Sequence, residues 1–202
     1  MSPELAELLE VLPACAGSSA GAPLDAQGLS VAEQVLGVTL PPDYKEFMTA
    51  YGGGEIGSFV WVARPAGSVD EQPYSPSLVD VTRTFRAGLV RSPEPGSENL
   101  SADKVLRWGG DEGGNDYLWL MDGPKPEEWP VLIQLHGGPL VACRFGMVEY
   151  LRRACAGLHT GELAALSLGP QPKFVHWRES YRLMAEGIDP WTGEPFDLEE
   201  FD

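Results

Sequence analysis

Chemistry in this sequence could rest on three histidines, three cysteines and one knot of oxygen side chains. The knot is Asp111, Glu112, Asn115 and Asp116, set among Gly109, Gly110, Gly113 and Gly114. Oxygen ligands this dense could hold Ca²⁺, but their spacing is not that of an EF-hand loop. Turn chemistry accounts for the same residues, since glycine supplies positive φ and acids favour turn positions. His136, His159 and His176 never fall three or four apart, so no helical metal pair exists. Cys143 could meet His136 across a hairpin as nucleophile and base. It alternates into an apolar strand, however, and reads as a small packed hydrophobe. The cysteine spacing matches no zinc motif, and no P-loop, dinucleotide fingerprint or G-x-S-x-G occurs. No metal or cofactor is expected. An enzyme is the minority reading, and its form would be a metal-assisted hydrolase using Asp111, Glu112 and Asp116.

The elements that must position these residues are legible from spacing. Ser2 caps and Pro3 opens a helix over residues 2–12, with Leu5, Leu8, Leu9 and Leu12 on one face. Residues 14–28 are small and linker-like. Ser30 and Glu33 read as a capping box for a short helix ending at Gly37. Leu40-Pro41-Pro42 then makes a stiff joint, because a residue before proline avoids the helical region. Tyr44, Phe47, Met48 and Tyr51 form the apolar stripe of the next helix, which Gly52-Gly53-Gly54 ends. Strands are expected over 56–62, 105–108, 117–121, 131–136 and 140–143, with Gly109 to Asn115 as a loop and Gly137-Gly138 as a hairpin turn. Within the proline-rich stretch 65–101, Leu78, Val81, Phe85 and Leu89 could line a modest helix. Phe145, Val148, Leu151, Cys155 and Leu158 repeat at helical spacing. So do Phe174, Trp177, Tyr181, Met184 and Ile188, a stripe expected to dock. Residues 190–202 lack such a stripe and are expected to stay mobile. This order of elements predicts an α+β fold, with helices packed on a twisted, mainly antiparallel sheet, followed by a C-terminal helix and acidic tail.

Charge narrows the partners. The 202 residues carry 30 acids against 14 bases, a formal net charge of -16. Nucleic acid and anionic membrane are excluded as unassisted partners, because both require clustered Lys and Arg. High solubility alone would account for the excess, and a basic partner would exploit it. The longest apolar run, Phe59 to Ala63, is far too short to span a bilayer. Glu4, Glu7 and Glu10 interrupt the N-terminal leucines and no base precedes Lys45, so no export signal is read. A cytoplasmic setting with Cys15, Cys143 and Cys155 reduced is expected. Trp61, Trp108, Trp119 and Trp129 lie on or beside strands. Trp108 reads as core, whereas Trp119 and Trp129 are open between core and recognition surface.

The run Leu36 to Phe47, carrying Leu40, Pro41, Tyr44 and Phe47, followed by Tyr51, Gly52 and Gly53, resembles the signature of the SUKH superfamily. That group joins bacterial immunity proteins and the fungal Smi/Knr cell-wall regulators. The stretch Val105 to Trp119, with Gly113 and Gly114, resembles the family's glycine-loop hairpin. Trp129-Pro130-Val131 is similar to its next strand, and Phe145 to Leu151 to its closing helix. The resemblance covers about residues 30–158 within a domain over 1–160, leaving 161–202 as an extension. It implies a non-catalytic binding protein whose partner is a cognate, basic protein toxin of nuclease or deaminase type. A regulatory or scaffolding module with a housekeeping partner is the alternative it also implies. Asp111, Glu112, Asp116, Trp119, Glu127, Glu128 and Trp129 are the candidate partner-binding residues. The sequence leaves the oligomeric state open.

Overall fold

Ser2 and Pro3 open the first helix as expected. In the computed structural model, which describes residues 1–14, 26–66 and 75–196, α1 spans Pro3–Val11 and the Ser2 hydroxyl accepts the Leu5 N–H. Its leucine face is buried through Leu5, Leu8 and Leu12. Most of the expected linker, with Cys15, lies outside the described residues, and the next helix starts inside it. Helix α2 (Ala26–Leu36) carries Ser30 in mid-helix, so the expected capping box is not formed. Glu33 reaches forward instead: its carboxylate accepts the Leu40 N–H at 2.8 Å and pairs with Lys45 at 2.6 Å. The acid therefore braces the Leu40–Pro41 joint from which α3 (Pro42–Ala50) departs.

The chain then builds seven strands. These are β1 (Gly54–Ile56), β2 (Val60–Val62), β3 (Val105–Asp111), β4 (Asp116–Leu120), β5 (Val131–Gln134), β6 (Leu140–Cys143) and β7 (Phe174–His176). They form one antiparallel sheet in the order β6-β5-β4-β3-β2-β1-β7. The fold is α+β, as predicted, with three local corrections. The single strand expected over 56–62 is a tight hairpin, because Gly57 and Ser58 both turn through positive φ. Residues 109–111, expected in a loop, continue β3. Their glycines serve close approach, since a Cβ on Gly109 would lie 2.6 Å from the Trp61 carbonyl oxygen and one on Gly110 2.7 Å from the Trp61 ring. The helical stripe expected over 174–188 is divided between β7 and α6 (Trp177–Ala185). The free edge of β1 decides this: Phe174 to His176 pair with Ile56 to Gly54. Gly54 leaves room for that strand, as its Cβ would lie 2.4 Å from the Val175 carbonyl oxygen.

One face of the sheet carries α1, α3 and α5 (Met147–Cys155). Tyr44, Phe47, Trp108, Tyr117, Trp119 and Tyr150 interleave there as a single core. The helix expected to extend to Leu158 ends at Cys155, and Leu158 is half exposed. The opposite face carries α4 (Leu78–Arg91), the modest helix expected within 65–101; Thr82, not Phe85, occupies its buried stripe. Of β3, the small strand β2 pairs only with Gly109 to Asp111, leaving Val105 to Arg107 without a strand on that side. Helix α4 replaces it with side chains. Thr82 Oγ1 accepts the Arg107 N–H at 3.1 Å and donates to the Arg107 carbonyl at 3.3 Å, and Arg86 Nε donates to the Val105 carbonyl at 3.0 Å. The C-terminal segment closes on itself through an Ile188–Pro195 bridge and the bond from the Phe196 N–H to the Gly187 carbonyl. Of the residues expected to stay mobile, 190–196 belong to this closed segment, and 197–202 lie outside the described residues. No helix among the described residues is long and apolar enough to cross a membrane.

Two substitutions test this frame. Phe47 is fully buried, stacked on Tyr51 with centroids 4.7 Å apart and edge-on to Phe174. Phe47→Ala is expected to cost about 3–5 kcal/mol in urea unfolding, the range for truncating a buried Phe; a loss under about 1 kcal/mol would contradict the packing. Thr82→Val keeps the shape but orphans the Arg107 N–H, and is expected to cost about 1–3 kcal/mol. Amide exchange at Arg107 should accelerate in that variant while exchange at Leu118 follows global stability only.

Candidate partner-binding groove

Asp111 ends β3 and is 6% exposed. Its carboxylate accepts the Asn115 backbone N–H at 3.1 Å, the Asn115 amide at 2.8 and 3.0 Å, and the Tyr117 hydroxyl at 2.7 Å. Asn115 Oδ1 in turn accepts the His136 N–H, tying this turn to the β5–β6 turn. The carboxylate is thus occupied in closing the Gly113-Gly114 turn. Glu112, next to it, is exposed. Asp116 pairs with Arg107 at 2.6 Å, and burial raises the Asp116 pKa while lowering that of Arg107. The Arg107 guanidinium also lies 4.9 Å over the Trp61 ring. The three acids of the knot therefore face three different surroundings. Among the described residues no group of three or more His, Cys, Asp or Glu is placed to hold a metal.

The expected aromatic anchors are core residues. Trp119 is 1% exposed, edge-on to Tyr44 at 5.4 Å and tilted against Trp108. Trp129 is 6% exposed and its indole N–H donates to the Gly123 carbonyl. Both belong to the buried core, Trp119 from β4 and Trp129 from the end of the 126–128 turn, so neither presents a surface to a partner. Glu127 and Glu128 sit on a single 3₁₀ turn, Pro126–Glu128, after β4. Asp111 and Glu112 precede β4. The acidic candidates are thus separated by the length of that strand, and no one surface collects them. Cys143 and His136 do not meet either: Cys143 pairs with Val131 at the far end of the β5–β6 hairpin and is buried, while His136 faces solvent near Glu94.

The structure instead gathers Glu127 with acids that sequence reasoning passed over. A groove of about 680 Å³ opens where α1, α3, the start of α5 and the 126–128 turn converge. Pro3, Pro42, Phe145 and Val148 give it an apolar lining; Glu4, Glu7, Asp43, Glu46, Glu127 and Glu149 face Arg152 as its one basic lining residue. Asp43 organises the junction. Its Oδ1 accepts the Tyr44 N–H at 2.8 Å and its Oδ2 the Val148 N–H at 3.3 Å, so one carboxylate serves the first turns of two helices. Gly146, at the start of α5, has no room for a side chain, since a Cβ would come within 2.5 Å of Asp43 Oδ2. Burial raises the Asp43 pKa against the opposing pull of these backbone donors. Glu149 is held below its usual range, chiefly by its hydrogen bonds with Arg152, and Arg153 binds it as well. Arg152 lies 3.3 Å from Glu7 too. Glu46 accepts the Ser2 N–H at 2.9 Å. Glu4 and Glu127 are exposed and make no ion pair among the described residues. The only sequence signal for this site was the polar edge of α1 and the Asp43–Glu46 spacing on α3. Which helix edges face each other is a long-range property that spacing does not carry.

A family model described as SUKH, SMI1-KNR4 cell-wall, matches residues 27–138, more than half of the chain. No curated protein and no solved structure gives a match. The matched stretch runs from α2 past β5, so it contains Pro42, Asp43, Glu46 and Glu127. The other wall of the groove, from α1 and α5, lies outside it.

Asp43 gives a test by pH. Its folded pKa lies above the ordinary 3.8, so between those two values the folded protein binds more protons than the unfolded one. Stability from this group therefore falls as pH rises through that window. Asp43→Asn removes the titration. Urea unfolding of both proteins from acid to neutral pH should show the variant gaining on the wild type as pH rises above 3.8. A difference that moves the other way would mean that the backbone donors outweigh burial.

Proposed function

Because the chain belongs to the SUKH, SMI1-KNR4 cell-wall family, we propose that it is a non-catalytic binding protein of the immunity type. In this reading it neutralises a cognate bacterial toxin, of nuclease or deaminase type, by covering the toxin's active site in the cytoplasm. Residues 1–160 form the SUKH-like unit, and 161–202 an extension that contributes β7 to its sheet. The observation that carries the reading is the acid-rimmed groove, six carboxylates against one guanidinium, on a chain with a net charge of -16. A toxin that handles nucleic acid presents a basic cleft, and carboxylates offered to that cleft stand in for phosphates. Such complementarity raises association rate and penalises wrong partners.

The interior supports a binding role rather than a catalytic one. Burial pushes the Cys143 thiol up to about 11 and the Cys155 thiol up to about 12, so neither is a ready nucleophile near neutrality. His159 packs on Tyr150 with centroids 4.7 Å apart, and burial lowers its pKa. A second reading, a regulatory module with a housekeeping partner, is favoured by the cell-wall description of the matched family.

Co-expression separates the two. The immunity reading expects growth to be restored when the chain is expressed with the toxin encoded beside it, and no growth defect on its deletion when that toxin is absent. A defect without any toxin would favour the regulatory module. Association with the toxin should slow by about 10-fold or more from low to high salt, as electrostatic steering requires. Rates that ignore salt would remove steering from the mechanism.

A further inference from the structure

We propose that the groove between α1, α3 and α5 is the docking site for a basic, amphipathic segment of the partner protein. The inference rests on the reading above for the partner's identity as a toxin, but the occupant's chemistry comes from the groove itself. Its volume of about 680 Å³ suits several side chains rather than one ion, within the roughly 300–1,000 Å³ usual for ligand sites. Pro3, Pro42, Phe145 and Val148 offer apolar contact.

The acids divide into two groups. Glu149, Glu7 and Glu46 are already engaged, with Arg152, Arg153 and the Ser2 N–H, and Asp43 is taken up by backbone donors. Glu4 and Glu127 are exposed and without an ion pair among the described residues. They stand on separate elements, α1 and the 126–128 turn, on the rim of one groove with an apolar lining. A segment with several Arg or Lys on one side and apolar residues on the other meets both acids and the lining together. A second copy of this chain is disfavoured by its own -16 charge, and a nucleic acid is repelled for the same reason.

The groove also draws on both parts of the chain, since Glu4, Glu7, Phe145 and Glu149 lie outside the stretch matched by the family and Asp43, Glu46 and Glu127 inside it. Specificity for one partner can therefore change through α1 and α5 while the matched stretch stays the same.

Two measurements test this. In the first, isotope-labelled protein is titrated with a synthetic amphipathic arginine–leucine helix, with spermidine as the control. Amide shifts are expected at Glu4, Asp43, Glu127 and Val148, reversed by salt and abolished in Glu4→Arg/Glu127→Arg. Shifts centred elsewhere, or equal shifts with spermidine, would overturn the site. The second measures affinity for the toxin encoded beside this chain. Glu4→Arg/Glu127→Arg should weaken it by about 10–100-fold, and Glu4→Gln/Glu127→Gln by less. Glu98→Arg/Glu162→Arg, on exposed acids away from the groove, should leave it within about 2-fold, since remote surface charges act weakly. Circular dichroism checks that every variant is folded. A toxin that binds wild type and groove variant equally would overturn the docking site and leave the immunity reading standing. A peptide that docks in the groove while the toxin fails to bind wild type would do the reverse.

Discussion

Tyr44, Phe47 and Tyr51, along one face of α3, bind the two halves of the molecule. Tyr44 meets Trp119 of β4 edge-on, and its hydroxyl donates to the Ala63 carbonyl just after β2 at 2.9 Å. Tyr51 meets Phe174 of β7, and its hydroxyl donates to the Leu12 carbonyl at the end of α1 at 2.6 Å. Phe47 packs between them. Both hydroxyls are buried, so each must keep its partner or cost about 1–3 kcal/mol. Helix α3 therefore cannot turn about its axis without losing contacts to β2, β7 and α1 together. The Leu40–Pro41 joint, held by Glu33, fixes the angle at which it enters.

That placement decides what the polar edge of α3 does. With its aromatic face committed to the sheet, Asp43 and Glu46 are carried toward α1 and α5. Asp43 can then serve the start of α5, and Gly146 lets the two approach. The groove is thus a by-product of core packing whose walls are set by buried residues. Arg152 is shared between Glu149 and Glu7, while Glu4 and Glu127 have no ion pair among the described residues. The backbone of this junction is held by Asp43, and the exposed Glu4 and Glu127 on it are the charges that the proposed electrostatic contact would use.

Local rules carried the sequence reading where they acted alone. Ser2-Pro3, Leu40-Pro41 and the α3 stripe were legible because capping, proline sterics and periodicity operate within a few residues. The two-residue turn expected at Gly137-Gly138, by contrast, is a five-residue loop, 135–139, because β5 ends at Gln134 and pairs there with Leu140. The reading failed where a distant neighbour set the outcome. Gly109 and Gly110 looked like loop residues, yet they are strand glycines made necessary by Trp61. Phe174 to His176 had helical spacing but were claimed by the edge of β1. Glu33 had the spacing of a cap and was used to brace a joint. Trp119 and Trp129 looked equally suited to core or surface; strand pairing turned Trp119 inward, and the 126–128 turn carried Trp129 into the core. The same limit hid the groove, whose acids come from four separate stretches of chain.

The functional groups that a catalytic site would need are largely spent on the fold. Asp111 holds a turn, Asp43 serves two helices, and His176 accepts the Arg178 N–H at 3.1 Å to start α6. The two described thiols are buried in apolar surroundings that keep them protonated near neutrality. A carboxylate that accepts several bonds to hold a turn gains nothing from releasing them to a substrate, since each release would orphan a buried donor. The acids left without such duties are on the outside, and in the groove they are concentrated around an apolar lining. Interior polar groups committed to the fold, with Glu4 and Glu127 unpaired among the described residues at the groove, are the arrangement that the proposed binding role would use.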